Sequence, residues 1–161
     1  MTTTTHPETT ISADQALPAV HITREFNAPV EAVFRAHVEQ DLVAKWLGPR
    51  GLTMRVDRWD ASTGGAYGYV HSQGDEEYRF FGSFHEVRPN ERIVQTFTYE
   101  GFPDSVSLET LTFEDLGGGR TRIRSTSMFE TKDARDMMLA SGMETGVVEG
   151  YEQLDDLLAE A

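Results

Sequence analysis

The chain contains no cysteine, which excludes disulfides, a thiolate nucleophile and any Cys-based zinc or iron–sulfur site. It is also poor in cations: 14 Lys and Arg against 27 Asp and Glu leave a net charge of −13. Nucleic acid and anionic membrane surfaces are both gripped through basic patches, so neither is an expected partner. No apolar run reaches the length of a membrane-spanning helix. The first 18 residues, MTTTTHPETTISADQALP, lack the basic start and apolar centre of a secretory signal. They are expected to form a disordered polar tail (1–18) on a cytoplasmic protein. Catalytic signatures are missing as well: there is no G-x-S-x-G, no H-E-x-x-H and no P-loop. The five histidines, His6, His21, His37, His71 and His85, have no ligand spacing, so neither a metal nor a cofactor is expected.

What remains is enough for one domain, expected over 19–161. Val20 to Phe26 alternates apolar and polar residues and predicts a strand. Pro29 then stands at a helix start, with Val30, Val33, Phe34 and Val38 on one face. A second short helix carries Leu42, Val43, Trp46 and Leu47 and stops at Gly48-Pro49. From Leu52 to Phe129 the period is two, and the turn signals STGG, QGDE, RPNE, GFPD and LGGG divide it into six strands. Connections this short join antiparallel neighbours, so a large antiparallel sheet is predicted. The apolar phase shifts along the fifth of these strands, which predicts a bulge near Glu109 and Thr110. After Thr131 the helical period returns, ending in a long helix with Met143, Val147, Tyr151, Leu154 and Leu158 on one face. That face has only the sheet left to cover it.

Two features of this plan ask for a reason. Gly142, Gly146 and Gly150 recur every four residues along the last helix, although an interior glycine costs up to about 1 kcal/mol against alanine. They allow close backbone packing, or they leave volume for a ligand between helix and sheet. The better apolar phases of the strands also keep polar members, Gln95 among Ile93, Phe97 and Tyr99, and Ser125 and Ser127 between Ile123 and Phe129. An apolar pocket with a few polar groups is the usual form of a small-molecule site, whereas a core that only needs filling has less use for them.

The segments REFNAPVEAVFRA, KWLGP, WDASTGGAYGY, FGSFHEVRPNERIVQTF and ASGMETGVVEGYEQLDDLLAE resemble one known group. Together they are similar to the SRPBCC superfamily of START-like, helix-grip proteins, within its branch named for the activator of 90 kDa heat shock protein ATPase homologue. The resemblance runs from Val20 to Ala161. It implies an α+β helix-grip fold: a curved antiparallel seven-stranded sheet, in the order β-α-α-β6-α, wrapped around the long C-terminal helix. The two short helices would close one end of the groove, with Trp46 near it. The branch often shows Asp-x-Arg-x-Gly-Gly; here Ser62 stands in place of the arginine between Asp60 and Gly65, and no role of that arginine carries over.

The leading expectation is binding of a small lipophilic or aromatic molecule in the groove. Its sheet-side candidates are Met54, Tyr69, Phe84, Gln95, Phe97, Tyr99, Leu111 and Ser125. Trp46, Met143, Gly146, Val147, Gly150 and Tyr151 would line the helical side. An alternative is a cyclase, dehydratase or hydrolase using His71, His85 or Glu109, which requires a groove-facing ionisable group with a displaced pKa. Another is a protein-interaction module, which requires an exposed apolar patch. A homodimer is compatible with the sequence and not demanded by it.

Overall fold

The structure, a computed structural model, describes residues 6–160. Two helices, α1 (Val30–Val38) and α2 (Gln40–Trp46), follow the strands β1 (Thr9–Ala13) and β2 (Ala19–Phe26). Six strands come next: β3 (Thr53–Trp59), β4 (Ala66–Gln73), β5 (Glu76–Arg88), β6 (Arg92–Tyr99), β7 (Ser107–Gly117) and β8 (Arg120–Met128). Helices α3 (Lys132–Ala140) and α4 (Met143–Ala159) end the chain. The eight strands form one antiparallel sheet in the order β1-β2-β8-β7-β6-β5-β4-β3, so the first and last parts of the chain meet at β2 and β8.

The extra strand corrects the expectation of a disordered tail. Residues 1–5 and Ala161 lie outside the described residues, but Thr9 to Ala13 pair with β2 in the register Thr9↔Arg24 to Ala13↔Val20. The β-branched Thr9, Thr10 and Ile11 suit an edge strand, and Ile11 packs on the core. Asp14 then turns the chain, its carboxylate accepting from the backbone N–H groups of Ala16 and Leu17 at 2.8 Å each. A second correction concerns β7, whose pairing with β6 and β8 runs without interruption through Glu109 and Thr110. Ser107, Glu109, Leu111 and Phe113 therefore share the inner phase, and it is Leu108 that faces outward, 46% exposed. The irregularities fall instead at Val56/Arg58, Phe84/Glu86 and Asp115/Gly117.

The best-buried side chains, Val20, Phe26, Val33, Ile123 and Leu154 among them, lie where β2, β8 and α1 meet α4. Arg24, 1% exposed, sits in their midst. It donates to Asp155 of α4 through Nη1 at 2.8 Å and Nη2 at 2.5 Å, and through Nε to Thr9 at 3.1 Å. Its guanidinium also lies 4.8 Å from the centroid of the Phe26 ring. This two-pronged ion pair fixes the last turns of α4 over the β1–β2 side of the sheet.

Trp46 explains the stop that follows it. Its indole N–H donates to the Ala36 carbonyl at 2.8 Å, and its ring stacks on Tyr151 of α4 at 5.8 Å. The tryptophan thus ties α1, α2 and α4 together while 5% exposed. Gly48 then takes φ 99, and His71 packs where its side chain would be, 2.5 Å from an ideal Cβ. Only glycine satisfies both the left-handed turn and that close approach.

Candidate functional site

The inner face of the sheet changes character across its width. On the β2 and β8 side it is sealed by α4 and α1, whereas toward β3–β7 inner-face side chains stay half-buried. Met54, Val56, Phe80, Phe97 and Leu111 keep accessible surface there. So do Met138 and Leu139 of α3 and Met143 and Val147 at the start of α4. Apolar side chains from both sides thus pack on the core yet remain partly open along this stretch of the inner face.

An aromatic wall runs along it. Tyr69 stacks on Phe80 with ring centroids 5.3 Å apart, and Phe80 stacks on Phe97 at 5.5 Å. Tyr67 stacks on Tyr69 at 6.1 Å, and Phe84 lies against Tyr67 at 5.2 Å. Room for the Tyr67 hydroxyl comes from Gly82, where an added Cβ would fall 2.0 Å from the Thr96 carbonyl oxygen. That carbonyl accepts from the Tyr67 hydroxyl at 2.6 Å, and the neighbouring Ser83 N–H turns to the Thr96 hydroxyl at 2.9 Å.

Register lines up a polar chain beside the wall. Gln95 of β6 opposes Glu109 of β7, which opposes Ser127 of β8. The Gln95 side-chain N–H donates to Glu109 Oε1 at 3.0 Å, and the Ser127 hydroxyl donates to Glu109 Oε2 at 3.2 Å. Among the described residues no Lys, Arg or His makes an ion pair with Glu109. Burial pushes its carboxyl above the ordinary carboxylate range, and the two hydrogen bonds oppose that only in part. The same deep setting, with the Glu109 charge close by, raises the hydroxyls of Tyr67 and Tyr69, and raises Tyr151 to about 12.

The sequence-derived candidates divide accordingly. Met54, Gln95, Phe97, Leu111, Met143 and Val147 are half-buried, and Tyr69 is buried in the aromatic wall. Ser125 and Phe84 are buried on the inner face, and Tyr99 lies at the sheet's end against Phe80 and Phe102. Trp46 and Tyr151 are core rings. The glycine stripe is corrected: Gly142 is the αL cap before α4, and Gly146 and Gly150 face α2 and its following turn. A Cβ on Gly150 would meet Trp46 O at 3.2 Å and Gly48 N at 3.3 Å; on Gly146 it would meet Pro49 at 3.6 Å. Their purpose is helix-to-turn packing, strengthened by Gln153, which donates to the carbonyls of Trp46 and Gly48 at 3.2 and 2.9 Å.

His85 is exposed on the outer face, since neighbouring Phe84 points inward. His71 is buried, its Nε2 3.2 Å from the Leu47 carbonyl, and burial lowers its pKa. That hydrogen bond gives it a structural task at the end of α2. Ser62 donates to Asp60 at 2.6 Å on the surface, a local turn contact. Tyr67, Phe80 and Ser127 were not among the ligand candidates, although each falls on an alternation that the sequence shows. Two hollows, of about 160 and 280 Å³, sit along the C-terminal half of α4 and away from the aromatic wall.

A curved antiparallel sheet folded around a C-terminal helix, with two short helices at one end, is the helix-grip class of α+β protein. The sequence model described as "Activator of Hsp90 ATPase homolog 1-like protein" matches residues 27–159, and the chain belongs to that family. Among solved structures, a Rhodobacter sphaeroides protein is 27% identical with a TM-score of 0.84, over 94% of this chain and 98% of its own. A Mycobacterium smegmatis protein is 24% identical with a TM-score of 0.84, over 94% and 97%. The AHSA1 protein of Silicibacter pomeroyi is 22% identical with a TM-score of 0.73, over 88% and 97%. No curated protein matches the chain.

Proposed function

We propose that the protein binds a small lipophilic or aromatic molecule in the groove between β3–β7 and the helices α3 and α4. The observation that carries this is the half-burial of apolar side chains on both sides of the groove, next to a chain of polar groups on the sheet. Fully packed cores leave no such accessible inner face. Occupancy has to widen the groove, because the best-defined hollows lie elsewhere. The test is native mass spectrometry of protein purified from its own host, joined to titration with the neutral fluorescent lipophile N-phenyl-1-naphthylamine. A defined adduct or saturable fluorescence, lost in Leu111→Trp, supports the function; a bare mass with no probe binding in the wild type ends it.

Glu109 favours a second reading, acid–base chemistry in the same groove, because it is a groove-side carboxyl whose pKa is displaced upward. Loss of turnover in Glu109→Gln with retained ligand binding would support it, once a ligand is identified. For the interaction-module alternative, Phe81 and Leu108 stand 45% and 46% exposed on the outer face of the sheet.

A further inference from the structure

One half-buried group does nothing for apolar packing. Glu109 uses two of roughly four acceptor positions, for Gln95 and Ser127. A desolvated carboxylate without a cation is costly, and the described residues supply none within ion-pair reach. The titratable groups facing it are Tyr67 and Tyr69 from β4 and Tyr151 from α4. Arg24, a buried cation that lies 5.9 Å from the Tyr151 ring centroid, is committed to Asp155. The walls beside the carboxyl are aromatic, and aromatic rings accept a neighbouring cation where aliphatic walls do not. A net charge of −13 gathers cations around the molecule and turns anions away.

We propose that the groove selects a lipophilic amine, whose ammonium pairs with Glu109 and whose apolar body lies along Tyr69, Phe80 and Phe97. This rests on the groove being a ligand site, and it names the chemistry of the ligand. An anionic lipophile is excluded by the uncompensated carboxylate, and a neutral one leaves that carboxylate unpaired. The ammonium reverses the upward displacement that burial gives Glu109, so binding strengthens as pH rises through the raised pKa of that carboxyl.

The test uses two probes of matched body, 4-phenylbutylamine and 4-phenylbutan-1-ol, titrated at pH 8 into the full chain and followed by NMR chemical shifts. The amine is expected to bind wild type at least about tenfold tighter than the alcohol. In Glu109→Gln that preference should fall below about twofold, with wild-type dispersion of the amide NMR signals showing that the variant is folded. Ser127→Ala, which keeps the carboxylate, should keep the preference. Equal binding of the two probes to wild type overturns the proposal and leaves the groove standing. So does a preference that survives Glu109→Gln, which would mark general attraction to an acidic surface. If neither probe binds wild type, the groove itself is refuted and the proposal falls with it.

Discussion

Gly146 and Gly150 lie one turn apart on the same helix, and replacing each with alanine should have opposite effects. In a helix interior alanine is favoured over glycine by up to about 1 kcal/mol. At Gly146 the new Cβ meets only Pro49 Cδ, at 3.6 Å, an ordinary contact, so most of that gain should appear as stability. At Gly150 it meets three backbone atoms, Trp46 O, Gly48 N and Gly48 O, at 3.2, 3.3 and 3.4 Å. Backbone does not swing aside as a side chain does, so α4 must lift from α2, loosening the two Gln153 hydrogen bonds and the Trp46–Tyr151 stack. Overpacking of this kind costs about 1–3 kcal/mol, which cancels or exceeds the propensity gain. Urea unfolding at constant m-value should therefore place Gly146→Ala above wild type by about 0.5–1 kcal/mol, and Gly150→Ala level with it or up to about 2 kcal/mol below. Equal stabilisation by both would refute the argument and return the glycine stripe to open space.

Three further outcomes are expected. Asp155→Ala leaves the Arg24 guanidinium buried without its carboxylate and should destabilise the fold by about 3 kcal/mol, whereas Arg24→Met with Asp155→Leu should cost much less; a double variant as unstable as the single would count against the ion-pair account. His37 is half-buried, donates Nδ1–H to Val33 O at 2.7 Å, and desolvation of its ring lowers its pKa to about 4. Its unfolded state takes up a proton first, so stability falls as pH drops from 6.5 to 4, by about 3 kcal/mol from this group. His71 acts in the same direction, and Glu109, raised by burial, opposes both. A His37→Asn variant whose stability difference from wild type does not change across that window would contradict this. Gly48→Ala, strained at φ 99 and pressed on the His71 ring, should lower the melting temperature by several degrees, which a calorimetric scan would detect.

Much of the fold was legible because its signals are local. Alternation of two between Thr53 and Met128, the five turn sequences and the return of helical spacing after Thr131 each depend on residues within a few positions. The six strands consequently fall between those turn sequences. Even the omitted strand, Thr9–Ala13, carried its β-branched residues openly, but its polar neighbours made it resemble a solvated leader until β2 offered it an edge.

The site was legible only in pieces. Gln95 and Ser127 were visible as polar interruptions of apolar strands, and Glu109 as a carboxyl on another. That they form one hydrogen-bonded chain follows from the pairing of β6, β7 and β8, which is fixed by contacts far apart in sequence. The phase of β7 settled as continuous once both neighbours held it, turning Glu109 inward and Leu108 out. His71 and His85 were equivalent in the sequence, and the structure set one under Gly48 and the other in solvent. The glycines of α4 likewise announced only that something comes close. The sequence by itself determined most of the elements, the acidic surface and the absence of thiol chemistry. Tertiary structure decided which polar groups join in one hydrogen-bonded chain and what each glycine touches, because a side chain's partner depends on register and helix rotation rather than on its neighbours in the chain.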